Sequence, residues 1–132
     1  LLKRSQNASI ICISSVAGRL GYGYRTPYSA TKWAIIGLVK SLAIELGPSG
    51  IRANALLPGI VEGPRMQKVI ADRAAALELS YQDMEQDYLQ KISLRRMVSA
   101  QDVADQAIFL ASPLGRNISG QAISICGNVE TL

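Results

Sequence analysis

The chain reads as an α/β protein, half of a doubly wound parallel sheet with helices on its faces. Three observations predict this. Ser9 to Ile13 is a nearly continuous apolar run with Ile at three of five positions, the pattern of a strand buried on both faces. Ile51 to Leu57 is a second apolar run, ended by the turn pair Pro58-Gly59. Between them a helical pattern from about Pro27 to Leu46 supplies the crossover that two parallel strands require. Further helical segments and a short run at Gln121 to Ile125 complete the order βαβ, helices, α, β.

Each element has a local reason. Leu1 to Asn7 is polar and basic and is expected to be the tail of a helix and a loop. Ser14 and Ser15 stand at the carboxyl end of the first strand, where open α/β sheets bind ligands. Gly18 to Arg25 is rich in glycine and tyrosine and reads as a loop. Its Gly21-Tyr22-Gly23 is not a phosphate-binding glycine fingerprint. Pro27 suits a first helical turn, and Thr26 is expected to cap it. The helix stops at Gly47-Pro48-Ser49-Gly50. Its apolar residues run almost all round: Trp33, Ile35, Ile36, Leu38, Val39, Leu42, Ala43, Ile44 and Leu46. A helix apolar on every side is buried on every side, so part of it is expected to meet another subunit or other parts of a larger protein.

Downstream, Pro64 opens an amphipathic segment with Met66, Val69, Ile70, Ala74 and Leu77 at helical spacing. Ser80 with Asp83 reads as a capping box for a helix carrying Tyr81, Met84, Tyr88 and Ile92. Ser99 with Asp102 opens another, with Val103, Ala107, Ile108 and Ala111 inward and Ser112-Pro113 as its stop.

Composition narrows the function. At 48% hydrophobic and 18% charged, the chain is globular and not disordered. No apolar run approaches ~20 residues, so no membrane span is expected. The net charge is +4, but the basic residues are dispersed without aromatic-basic alternation. That favours a solvated surface over a nucleic-acid one. With no His, His-based triads and His-containing metal sites are excluded. Cys12 and Cys126 have no metal-type spacing and read as small apolar residues of a reducing compartment, the cytoplasm. Asn117-Ile118-Ser119 matches a glycosylation sequon and reads instead as a turn.

The chemistry centres on Tyr28 and Lys32. Four residues apart, they lie about one turn apart on one helix face. A phenol beside an ammonium is a proton-transfer device, because the cation favours the ionised phenol.

With the upstream strand ending in Ser14-Ser15 and the downstream strand ending in Pro58-Gly59, the chain resembles the short-chain dehydrogenase/reductase family. These are Rossmann-fold oxidoreductases that use NAD or NADP. The resemblance covers nearly all of the sequence but matches only the C-terminal half of such an enzyme. It implies that residues 1–132 are the C-terminal part of a single Rossmann-fold domain. The segment of about 62–97 would be a substrate-binding helical insertion, whose Met66, Met84, Tyr88 and Met97 either line an apolar pocket or form plain core.

The resemblance also assigns roles. Tyr28 is the general acid or base, and Lys32 assists it and holds the nicotinamide ribose. Ser15, thirteen residues before Tyr28, holds the reacting oxygen, with Ser14 as the alternative. Pro58 and Gly59 form the turn under the nicotinamide, and backbone near Val61 bonds the carboxamide. The family often has Thr four residues after that Gly; this chain has Gly63 there. A homotetramer acting on a small carbonyl or alcohol substrate is implied, such as a 3-oxoacyl thioester.

The family's pyrophosphate turn, its residue choosing NAD or NADP and its catalytic Asn have no counterpart here and are expected upstream of Leu1. Two readings follow. In one, the sequence is part of an oxidoreductase. In the other, the 132 residues are a non-catalytic module that folds only by self-association or by joining a partner.

Overall fold

A computed structural model of the chain describes residues 1–129. Three parallel strands form one sheet: β1 (Ser9–Ile13), β2 (Arg52–Pro58) and β3 (Ala122–Ile125), in the order β1-β2-β3. Helix α1 (Thr26–Leu46) connects β1 to β2. Three helices separate β2 from β3: α2 (Pro64–Ala76), α3 (Tyr81–Gln90) and α4 (Ala100–Ala111).

β2 is central, and Ile51 to Leu57 are all buried. Side chains alternate across a strand. Ala53, Ala55 and Leu57 therefore face one way, where they pack on Val39 of α1 with Ile10, Cys12, Ile35, Ile36 and Leu42 around them. The two alanines let the helix come close. Asn54 and Leu56 face the other way, toward the side covered by α4 with its buried Leu110. Burying Leu56 and Leu57 completely contributes ~1.5–3 kcal/mol each.

Two buried polar side chains tie the far segments to β2. Asn54 donates from Nδ2 to the Ile118 carbonyl (2.8 Å) and accepts from the Gln121 N–H (3.1 Å). Arg52 donates its guanidinium to the carbonyls of Leu110 and Gly115 and to Asn7 Oδ1. A cation thus sits on the carbonyl end of α4, where the helix dipole is negative.

The strands match the predicted positions to within a residue, but β1 is not buried on both faces. Ile13 is half exposed, and β1 is an edge strand of this sheet. Ala8 and Ser14 bond to β2, so the parallel alternation turns the N–H and C=O of Ser9, Ile11 and Ile13 outward. The outer edge of β3 is covered differently: Arg19 donates to the Ala122 carbonyl and to Ser124 Oγ.

The helix boundaries hold, with corrections. Thr26 does not cap α1. Arg25 occupies the cap position without a side-chain bond, because a turn closed by Arg25 N–H on Tyr22 C=O starts the helix one residue early. Of the all-round apolar set only Val39 is buried; Trp33, Leu38 and Ile44 face outward. At α3 the Ser80 hydroxyl caps Asp83 N–H, but the Asp83 carboxylate meets the Ser80 hydroxyl and not its N–H. The full box forms at α4, where the Asp102 carboxylate accepts the Ser99 N–H at 2.8 Å. Ile92 lies beyond α3 and is fully buried in an antiparallel bridge with Val129. Ile108 points out of α4, and Leu110 takes the inward place. No helix among the described residues is long and apolar enough to cross a membrane.

Candidate active site

The carboxyl end of β1 is built first. Ser14 continues the pairing one residue past the strand by donating its N–H to the Leu56 carbonyl (2.8 Å). Ser15 is extended, and its hydroxyl oxygen accepts the Ala17 N–H at 3.2 Å. That bond caps the short 3-10 turn Val16–Gly18, all of which is buried. With an oxygen lone pair engaged by Ala17, the Ser15 O–H points its own donor elsewhere.

Helix α1 delivers the other two groups to the same end of the sheet. The Lys32 ammonium lies 5.6 Å from the centre of the Tyr28 ring and donates to the Ile13 carbonyl at 3.2 Å. The cation therefore rests beside the phenol ring, within the ~6 Å reach of a cation–π contact. It also covers an outward carbonyl of β1. Ser29, next to Tyr28, donates to the Ala17 carbonyl at 3.0 Å. Ser15, Tyr28 and Lys32 are thus gathered where β1 ends. Tyr28 is 41% exposed, open to a substrate. Tyr22 meets its ring edge-on at 6.3 Å, and the Arg25 guanidinium stacks 5.8 Å from the Tyr22 centre.

The third wall comes from β2. Gly59 donates its N–H to the Ile125 carbonyl at 2.9 Å, which holds the turn after Pro58 against β3. The approach is too close for a side chain. A Cβ on Gly59 would fall 2.7 Å from Cys126 Cβ. Two residues on, Val61 forms a parallel bridge with Val98, made by Glu62 N–H to Val98 C=O and Val98 N–H to Ile60 C=O. Parallel alternation turns the N–H and C=O of Val61 itself away from Val98, and among the described residues neither makes a hydrogen bond. One donor beside one acceptor is the complement of a primary amide, so this backbone fits a carboxamide. Gly63 adopts a φ of 141°, a conformation disfavoured for a residue with a side chain.

Helices α2 and α3 pack on each other through Ile70, Ala74 and Met84, joined by Met66, Tyr81, Tyr88 and Met97. A cavity of about 320 Å³ lies beside them, with Met66, Ile70, Tyr81, Leu89, Arg95 and Met97 in its wall. The predicted quartet divides: Met66 and Met97 line the cavity, while Met84 is buried core and Tyr88 packs against it. Among the described residues no acidic, Cys or His cluster is fit to hold a metal ion.

The sequence misses the stitching that aligns these parts, namely Ser14, Gly18 and Ser29. Gly18 is the one visible signal. A Cβ there would lie 2.6 Å from Ser14 Oγ and 2.8 Å from the Lys32 carbonyl oxygen.

The family model described as enoyl-(acyl carrier protein) reductase, one of the short-chain dehydrogenase/reductase group, matches residues 1–128. An uncharacterized oxidoreductase of Bacillus subtilis, YxjF, is 34% identical over 128 residues, covering 96% of this chain and 50% of its own length. A (3R)-3-hydroxyacyl-CoA dehydrogenase of Rattus norvegicus is 34% identical over 132 residues, covering 98% of this chain and 46% of its own. The crystal structure of an actinorhodin polyketide ketoreductase with NADPH superposes with a TM-score of 0.84 at 30% identity, over 94% of this chain and 48% of that one. The chain thus spans about half the length of the relatives it matches. Sequence and fold agree that it belongs to the short-chain dehydrogenase/reductase family.

Proposed function

We propose that this chain carries the catalytic half of an NAD- or NADP-dependent oxidoreductase acting between a ketone and a secondary alcohol. The observation that carries the reading is Lys32. Its ammonium joins the Tyr28 ring to the end of β1 that bears Ser15. Nicotinamide, when bound, supplies or accepts the hydride. Tyr28 gives its hydroxyl proton to the substrate oxygen in reduction and takes it back in oxidation. Ser15, its oxygen already engaged by Ala17, donates its O–H to the same oxygen and stabilises charge as it develops there. Lys32 and Tyr28 hold the nicotinamide ribose. Pro58 and Gly59 would form the floor, and the N–H and C=O of Val61, unpaired among the described residues, would hold the carboxamide. Gly63 offers no side chain to the cofactor.

Residues 62–97 form the substrate-binding insertion of a single domain. Met66, Ile70 and Met97 form the apolar part of a wall that also carries Glu62, Glu85, Arg95 and Arg96, and that part suits an acyl chain, as in a 3-oxoacyl thioester. The relatives named above include a hydroxyacyl-CoA dehydrogenase and a polyketide ketoreductase, which supports that class. Trp33, Leu38 and Ile44, exposed on α1, support a homotetramer, and the two free cysteines fit a cytoplasmic protein. For these residues by themselves, the open outer edge of β1 favours the second reading, a module completed by another strand.

The test is Tyr28→Phe, assayed with NADH and NADPH against a panel of ketones and 3-oxoacyl thioesters. General acid–base catalysis contributes ~10²–10⁴-fold, so kcat should fall by that order with the melting temperature unchanged. A Phe variant as fast as wild type would refute Tyr28 as the proton donor.

A further inference from the structure

Lys32 is held at both ends by consecutive residues of one strand end. Its ammonium donates to the Ile13 carbonyl at 3.2 Å. Its main-chain carbonyl accepts the Ser14 hydroxyl at 2.8 Å. Ser14 is 4% exposed, so its hydroxyl does not face a substrate. The next residue is Ser15. The three residues before the buried turn are therefore registered against one point on α1.

Gly18 seals this contact. It sits so close that a Cβ would fall 2.6 Å from Ser14 Oγ and 2.8 Å from the Lys32 carbonyl oxygen. Real Cβ atoms do not come that near, so either would displace the other. A second stitch, Ser29 to the Ala17 carbonyl at 3.0 Å, fixes the same turn one helical turn earlier on α1. Neither bond touches a reacting group, and both set where α1 stands relative to Ser15.

We propose that Ser14 is a positioning residue: its hydrogen bond to the Lys32 carbonyl sets where α1 delivers the Lys32 ammonium and the Tyr28 phenol against Ser15. The inference rests on the oxidoreductase reading for its catalytic meaning, but the placement itself has an independent readout. Without the Ser14 hydroxyl, Lys32 loses one anchor, and its ammonium leaves Ile13 more often. The part of the Ser14 defect that acts through the Lys32 ammonium is lost with that ammonium, whereas the part that acts through Tyr28 survives, because Lys32→Met keeps the main-chain carbonyl.

Two measurements on the intact protein test this. The first is the rate at which acetic anhydride acetylates Lys32, read peptide by peptide by mass spectrometry. Exposed Lys68, paired with Asp72 on α2, is the internal reference. Ser14→Ala should raise the Lys32 rate several-fold relative to Lys68. Ser14→Cys, which keeps a donor that is weaker and bulkier than the hydroxyl, should fall between. The second is a double-mutant cycle in ketone reduction. Ser14→Ala should lower kcat/KM by about 10–100-fold in the wild type and by a several-fold smaller factor on a Lys32→Met background. An unchanged Lys32 rate in both Ser14 variants, or an equal loss on both backgrounds, would overturn the proposal. If the wild type reduces no ketone yet Lys32 labelling rises, the oxidoreductase reading fails and the positioning role stands.

Discussion

Replacing Gly59 by Ala should damage both the fold and the proposed cofactor site, and the structure gives the scale. The added Cβ would lie 2.7 Å from Cys126 Cβ, 2.8 Å from Cys126 Cα and 3.3 Å from its carbonyl oxygen. Carbon atoms rest about 3.5–4.0 Å apart, so the turn must retreat by about 1 Å. The hydrogen bond from Gly59 N–H to Ile125 C=O, 2.9 Å long, resists that retreat. Overpacking of this kind costs ~1–3 kcal/mol, and weakening the bond adds up to ~1 kcal/mol. A loss of ~1–4 kcal/mol at a mid-range urea slope of ~2 kcal/mol/M lowers the denaturation midpoint by roughly 0.5–2 M.

The displaced turn carries Val61 with it. A misplacement of ~1 Å can cost ~10²-fold in rate, so the nicotinamide KM should rise and kcat should fall. Gly50→Ala is the control. Gly50 has φ 71° and nothing within 4 Å of an added Cβ, so its penalty is the left-handed backbone alone, ~1–2 kcal/mol. It precedes β2, at the end opposite the site, and should leave KM unchanged. Removing the nearest obstacle with Cys126→Gly should restore part of the Gly59→Ala loss. A Gly59→Ala midpoint within about 0.3 M of wild type, on the same slope range, with an unchanged nicotinamide KM would refute the steric reasoning.

Three further outcomes are expected. Arg52→Met keeps the stem but strands the Leu110 carbonyl, while the Gly115 carbonyl keeps the Ile118 N–H; leaving one buried acceptor unpaired should cost about 1–3 kcal/mol, seen as a lower denaturation midpoint. Asp102 is held below its ordinary carboxyl value of 3.8 chiefly by the Ser99 N–H and then by the Ser99 hydroxyl, with burial opposing and the Arg96 charge helping. A lowered folded-state value means that this stabilisation is complete above 3.8 and is lost as pH falls through the lower value, so Asp102→Asn should flatten the acid limb of thermal stability, and an unchanged limb would count against the cap. Residues 1–132 expressed alone should aggregate or share strands through the outer edge of β1 and bind nicotinamide cofactor weakly. A soluble monomer by light scattering, with micromolar NAD(H) affinity, would contradict this.

What was legible in the sequence was local. The runs Ser9 to Ile13 and Ile51 to Leu57 announce strands because a doubly covered strand needs apolar side chains on both faces. The caps Ser80 and Ser99 are legible because their partners are three residues away. Tyr28 and Lys32 share a face because the helix repeats every ~3.6 residues, and Gly59 signals a turn by its chemistry.

Contacts between distant residues were not legible. Nothing near Ser14 says that its hydroxyl meets a carbonyl eighteen residues on. Ile92 looked like a helix residue until pairing with Val129 claimed it, and Ile108 kept the helical period while Leu110 took the core. The amino-acid sequence by itself determined the α/β order, the Ser80 and Ser99 caps and the Tyr-Lys pair, since each depends on neighbours within a turn or a strand. Only the tertiary structure decided that Lys32 reaches Ile13, and that the N–H and C=O of Val61 are left unpaired among the described residues. Those outcomes depend on which strand lies beside which, and parallel pairing turns alternate backbone groups outward only once that neighbour is fixed.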